Sequence, residues 1–163
     1  MANQSWNTDL DEQYVADLFH AFEFLNSQSN VFDVYRNKIK GIQSLLFKDE
    51  LDTFLDGING IEQEYKKFLT SIYDNNEFIE LVSGRRRKIL KTLDLADGIR
   101  EMNKRLSDFQ DTYDNLIQYL VSGEANKKRD DKCKRYSYQE CATRKPCQVK
   151  KGFFVNSCRY QYR

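Results

Sequence analysis

Apolar residues recur at steps of three and four along most of this chain, with polar and charged residues between them. That period places the apolar side chains on one stripe of an α-helix. From about Thr8 to Leu25 the stripe is Tyr14, Leu18, Phe22 and Leu25, and Thr8 or Asp9 is placed to cap its start. Asn26-Ser27-Gln28-Ser29-Asn30 is a polar break. A second helix is predicted from Val31 to Phe47 on Phe32, Tyr35, Ile39, Ile42 and Leu46, the stepping of a helix packed lengthwise on another.

A third helix is predicted from Asp49 to Tyr73. Leu51, Leu55, Ile58, Tyr65, Leu69 and Ile72 keep the seam, and Glu62 is its one polar position. Gly57 and Gly60 fall inside this pattern and predict a kink between them. Asp74-Asn75-Asn76 is the next break. A fourth stretch runs from Glu77 to Val121, with Ser83-Gly84 placed to split off its first turns. Its stripe is Ile89, Leu93, Ala96, Ile99, Met102, Leu106, Phe109, Tyr113, Leu116 and Leu120. The two successive steps of three around Ile99 predict local overwinding of a supercoil. One helix from Arg85 to Val121 reaches about 55 Å. The fold class expected is therefore all-α: an elongated antiparallel bundle of about four helices with coiled-coil-like packing.

Gly123 is placed to stop the last helix, which divides the chain into a bundle domain, 1–123, and a tail, 124–163. In the tail, 127–132 reads as a charged linker. Tyr136–Tyr138 and Phe153–Val155 read as strand pieces of a hairpin, with Lys151-Gly152 near its turn. The chain's single proline, Pro146, also lies here, so nothing upstream interrupts long helices. Hydrophobic residues make up 40% of the 163 and aromatics 13%, enough apolar surface to form a core.

Charge separates the two parts more sharply than the net +1 conveys. Residues 124–163 hold 12 Lys and Arg against 4 Asp and Glu, a net of +8, so 1–123 carries −7. Such asymmetry points to an acidic partner for the tail, or to the tail packing on its own acidic helices. All four cysteines, Cys133, Cys141, Cys147 and Cys158, lie in the last 31 residues. An even number clustered in a short basic segment reads as two disulfides, with three pairings open. Zinc is the rival reading, but no CxxC pair is present and the sole histidine, His20, is far away. Disulfides imply an oxidising compartment, so the expected location is extracellular. No leader is legible at Met1-Ala2, as expected of a mature chain given a start residue. No apolar run is long enough to span a bilayer. Asn3-Gln4-Ser5 matches a glycosylation acceptor.

Enzymatic chemistry finds little support. Histidine catalysis would rest on His20 alone, and disulfides leave no cysteine nucleophile. The pairs Asp9/Asp11, Asp94/Asp97 and Asp108/Asp111 have the spacing of a solvated helix face. No Glu-x-x-His, H-E-x-x-H, G-x-S-x-G or Gly-rich phosphate loop occurs. The expectation is no enzyme, no cofactor and no metal.

The candidate site is cationic. The tail sets Lys132, Lys134, Arg135, Arg144, Lys145, Lys150, Lys151, Arg159 and Arg163 among Tyr136, Tyr138, Phe153, Phe154, Tyr160 and Tyr162. Cations beside aromatic faces suit an acidic protein, a sulfated glycan or an anionic surface, and an extracellular setting disfavours nucleic acid. Arg85-Arg86-Arg87-Lys88, near the start of the longest helix, is a second candidate for an anion or a protease. The layout of a nearly proline-free helical bundle followed by a small basic Cys-rich tail resembles that of secreted invertebrate proteins, salivary and venom components among them. It carries over no functional residue.

The leading expectation is a secreted, non-enzymatic binding protein that holds an acidic partner with its tail. The alternatives are a membrane-active helical toxin or pore-forming component, and a structural or oligomerising rod from a larger secreted protein. If the seams hold the fold, Leu106→Asp or Ile58→Asp buries a carboxylate without a partner and costs more than about 4 kcal/mol. An unchanged melt by circular dichroism would show the seams to be misplaced.

Overall fold

A computed structural model describes residues 2–74, 93–152 and 156–161, with side chains for 13–74, 95–152 and 156–161. The chain is mostly helical and ends in a small two-stranded sheet with two disulfides. The described helices are α1 (Ala2–Ser27), α2 (Val31–Gly41), α3 (Lys48–Tyr73), α4 (Leu93–Val121), α5 (Asn126–Lys134) and the single turn α6 (Tyr138–Cys141). Two 3₁₀ turns, Gln28–Asn30 and Gln43–Leu45, flank α2. The strands β1 (Cys147–Lys150) and β2 (Ser157–Tyr160) pair antiparallel.

The chain falls into two compact units, Met1–Val31 with Gly60–Phe109 and Phe32–Asn59 with Gln110–Arg163. In the first, Leu18 and Leu25 of α1, Tyr65 and Ile72 of α3, and Ala96, Ile99, Met102, Leu106 and Phe109 of α4 are buried. Polar tips also tie these helices together. The Tyr65 hydroxyl donates to the Leu25 carbonyl at 2.7 Å, and Asn103 Nδ2 donates to the Ala21 carbonyl at 3.2 Å. Both acceptors lie in the last turns of α1, and the Leu25 carbonyl is among those that a helix end leaves unpaired. Burial pushes the Tyr65 hydroxyl up to about 12. Phe68 faces Gly98 and Glu64 pairs with Arg105, so within this unit α3 and α4 run antiparallel.

The second unit buries Phe32, Tyr35 and Ile39 of α2, Leu46 and Phe47 of the following turn, Ile58 of α3 and Leu120 of α4. The Tyr35 and Tyr113 rings meet edge to face at 6.3 Å, and Arg36 Nε donates to Asn59 at 2.9 Å. The tail belongs to this unit.

The seam residues with described side chains are buried or half-buried, where the period places them, while several boundaries differ. The first helix starts at Ala2 rather than near Thr8. The second ends at Gly41 instead of Phe47, where a glycine weakens the helix. The chain then turns so that Leu46 is extended and Phe47 opens α3. Glu50 accepts the Phe47 N–H at 2.9 Å, one half of a capping box. No break occurs at Gly57 or Gly60; α3 is continuous. Gly57 has a packing role instead, since a Cβ there would stand 2.6 Å from the Tyr113 hydroxyl, which donates to the Phe54 carbonyl at 2.8 Å. The break expected at Asn75-Asn76, the split at Ser83-Gly84 and the stripe residue Ile89 lie outside the described residues, as do the side chains of Asn3, Ser5, Thr8, Asp9 and Leu93.

Gly123 stops α4 with φ 84°, a left-handed conformation suited to glycine. The expected linker at 127–132 is helical, as α5. Ala125, Arg129 and Cys133, spaced by four, form its buried stripe. Tyr136–Tyr138 is no strand: Ser137 accepts the Glu140 N–H at 3.2 Å and caps α6. The hairpin is built on Cys147–Lys150 instead, with Lys151 and Gly152 in the connection, and Phe153–Val155 lies outside the described residues.

The close approach at Gly57 generates a double-mutant test. Gly57→Ala displaces the Tyr113 hydroxyl in the natural chain but meets only ring carbon, at 3.9 Å, once Tyr113→Phe has removed it. Helix propensity then favours the alanine by about 1 kcal/mol. Urea denaturation should give a coupling of about 1 kcal/mol or more between the two sites. Equal effects of Gly57→Ala in both backgrounds would refute the contact.

Candidate functional site

The tail's shape starts from its cysteines. Cys133 of α5 bonds Cys147 of β1, and Cys141 of α6 bonds Cys158 of β2. Loops of 14 and 17 residues are closed, each contributing on the order of 3 kcal/mol by restricting the unfolded chain. All four cysteines are consumed, so no thiol is left for zinc or nucleophilic chemistry. The half-cystines, Tyr160 and Phe47 form one buried cluster, with Tyr136 and Val149 packed against it. Phe47 comes from the turn before α3, so the tail completes its small core with a residue of the helical region.

That docking is fixed by Arg129. Its side chain is 7% exposed and forks onto Glu50: Nη1 donates to Oε2 at 2.8 Å and Nη2 to Oε1 at 2.6 Å. Nη2 also donates to the Leu45 carbonyl. The guanidinium lies over the rings of Phe47, at 4.8 Å, and Tyr160, at 5.1 Å. The Tyr160 hydroxyl donates to the same Leu45 carbonyl at 2.8 Å. Burial pulls the Arg129 pKa down, but the hydrogen bonds and charges of Glu50 and Tyr160 outweigh it and leave it above its ordinary value.

The neighbouring Asp130 faces the hairpin. Its carboxylate accepts Arg159 Nε at 3.0 Å and Nη2 at 2.8 Å, and the Tyr160 N–H at 2.9 Å. Lys134 approaches it at 3.7 Å. The hydrogen bond to Asp130 is the main reason the Arg159 pKa lies above its ordinary value.

These pairings sort the cationic residues expected to bind a partner. Arg159 and Lys134 are engaged with Asp130, and Lys134 also approaches Asp131 at 3.8 Å. Lys132 lies 4.1 Å above the Phe47 ring and 3.8 Å from Asp49. These three belong to the internal network. Arg135, Arg144, Lys145, Lys150 and Lys151 are exposed and make no ion pair with a described residue. Arg144 rests over Tyr136 at 5.5 Å. Arg85, Arg86, Arg87 and Arg163 lie outside the described residues.

Arg129 and Asp130, the two buried charged residues among the described residues of the tail, escape a reading that takes 127–132 as a linker. The spacing of four from Ala125 through Arg129 to Cys133 is the signal that exposes them.

The surface around these groups has three shallow concavities among the described residues, one of them, of about 270 Å³, beside Glu50, Arg129 and Lys132. A second, of about 330 Å³, is lined by Gln148, Lys150, Arg159, Tyr160 and Gln161. The third, of about 660 Å³, has Phe47 and Tyr136 in its walls and mixes Asp49 and Asp52 with Arg144 and Lys145. His20 has 76% of its side chain exposed and stands 3.8 Å from Glu23. Among the described residues no group of three or more His, Cys, Asp or Glu side chains has metal-holding geometry. No described helix is long and apolar enough to cross a membrane. No family model, curated protein or solved structure matches this chain.

Glu50→Gln keeps an acceptor for the Phe47 N–H but leaves Arg129 buried without its counter-charge. It should cost about 3 kcal/mol, and adding Arg129→Met should recover much of that loss. Urea denaturation under non-reducing conditions measures both. Strictly additive losses would mean that the pair does not anchor the tail.

Proposed function

We propose that this chain is a secreted, non-enzymatic binding protein that engages an acidic partner through the outward cations of its stapled tail. One observation carries the reading. After Arg129, Arg159, Lys132 and Lys134 are matched to carboxylates, Arg135, Arg144, Lys145, Lys150 and Lys151 stay exposed with no acidic partner among the described residues. An isolated surface cation is ordinary. A group of them on a small scaffold, held by two disulfides and a hairpin, is a positive surface whose backbone is fixed beforehand and loses little loop freedom on binding.

Two disulfides favour an extracellular setting, where thiols are not kept reduced. The binding class is favoured over catalysis because the buried charges of the tail, Arg129 and Asp130, are matched by Glu50 and Arg159 and serve to hold the fold. The partner surface matching this charge is acidic: a protein, a glycan or an anionic layer.

Chromatography on immobilised heparin across a salt gradient tests the reading. The oxidised chain should be retained beyond about 0.15 M salt. The variant Arg144→Gln/Lys145→Gln/Lys150→Gln/Lys151→Gln, which removes four exposed charges and no internal pair, should elute well earlier. Flow-through of the natural chain, or equal elution of both, overturns it.

A further inference from the structure

We infer that the outward face of the β1–β2 hairpin is a subsite for a single sulfated sugar unit. The inference rests on the proposal of an acidic partner and names its chemistry. Side chains alternate across a strand pair. Cys147, Cys158 and Tyr160 are buried on the inner face. The outer face therefore carries Gln148 opposite Arg159 and Lys150 opposite Ser157. Gln161 continues this surface, and its N–H donates to the Pro146 carbonyl at 3.2 Å. A hollow of about 330 Å³, lined by Gln148, Lys150, Arg159 and Gln161 together with Tyr160 from the inner face, lies at the small end of ligand sites and suits one monosaccharide.

Its charge selects the ligand. No carboxylate is among the described residues lining the hollow. Arg159 is held by Asp130, and with Lys134 and Asp131 these four groups form a network of zero net charge. Among the described residues of the lining, Lys150 is the one charge without an ion pair. A single positive charge matches a sulfate ester, which is a monoanion, better than a phosphate monoester carrying close to two charges at neutral pH. Arg159 adds a fixed donor: Nε and Nη2 are locked on Asp130, and Nη1 donates to no described residue.

Two amides complete the hollow. Gln148 and Gln161 are exposed, and each side chain both donates and accepts hydrogen bonds. Sugar hydroxyls require that dual capacity, whereas a bare anion uses donors alone. The ladder and the Cys147 and Cys158 disulfides fix the spacing of these groups before any ligand arrives.

Amide-resolved NMR of the oxidised full chain tests the subsite. The probes are a sulfated heparin disaccharide, its desulfated counterpart and inorganic sulfate. The sulfated disaccharide should shift the amides of Gln148, Lys150, Arg159 and Gln161. Lys150→Gln should weaken its binding about tenfold, and Gln148→Ala/Gln161→Ala several-fold. These side chains are exposed, so the variants should keep the amide dispersion of the natural fold. The desulfated sugar should leave the hairpin unshifted, and inorganic sulfate should bind at least about tenfold more weakly. The subsite is overturned if inorganic sulfate binds as tightly as the disaccharide, if Gln148→Ala/Gln161→Ala has no effect, or if the shifts lie outside the hairpin. Retention of the natural chain on heparin with no hairpin shifts sinks the subsite alone. Loss of both retention and shifts sinks the broader reading with it.

Discussion

The buried guanidinium of Arg129 is the interaction on which the tail's arrangement depends. A cation taken from water carries a large desolvation penalty unless its charge and its donors are met together. Glu50 supplies the charge, the Leu45 carbonyl takes a further hydrogen bond, and Phe47 and Tyr160 supply aromatic faces. These partners come from the turn after α2, the first turn of α3 and the last strand. Misplacing any of them leaves a charge or a carbonyl unsatisfied, so the site specifies one docking of the tail. Its net contribution to stability can be small while the penalty for breaking it is large.

The same requirement explains how the tail folds at all. Some thirty residues cannot enclose a core unaided. The disulfides restrict the unfolded chain, and Phe47 completes a cluster that otherwise consists of half-cystines and Tyr160. Asp130, adjacent to Arg129, then fixes the hairpin through Arg159 and the Tyr160 N–H. Two consecutive residues of opposite charge on α5 thus hold the staple in two directions, one to the first turn of α3 and one to β2.

This arrangement changes the meaning of the tail's charge. A net of +8 between residues 124 and 163 describes the chain, whereas the surface is what remains after internal pairing. Arg129, Lys132, Lys134 and Arg159 meet carboxylates where they stand, whereas Arg135, just after α5, meets none among the described residues. The cations in the α6–β1 connection and at the end of β1 face solvent. Binding chemistry and structural chemistry are therefore divided among residues of one type, and position alone distinguishes them. Arg144 and Arg159 are the same residue, yet one is exposed over Tyr136 and the other is locked on a buried carboxylate.

Much of the helical architecture was legible because helix burial is periodic and local. Phe32, Tyr35, Ile39, Ile58, Tyr65, Ile72, Ile99 and Leu106 read as seam positions from spacing alone, and all are buried. Gly123 read as a stop because a left-handed helix terminus favours a residue without Cβ. The clustering of the cysteines pointed to a stapled tail. The end of α2 at Gly41 was hidden by apolar stepping that runs on to Leu46, while the continuity of α3 through Gly57 and the helical state of 126–134 were hidden because each goes with a contact to a distant segment. Hidden too were the choice of Cys133–Cys147 and Cys141–Cys158 among three pairings, and the choice of Arg129 rather than its neighbours as the buried cation. By itself the sequence determined which residues share a stripe, because that follows from 3.6 residues per turn. Only the tertiary structure decided which charges face each other, because an ion pair between residues 79 apart in the chain leaves no period to read.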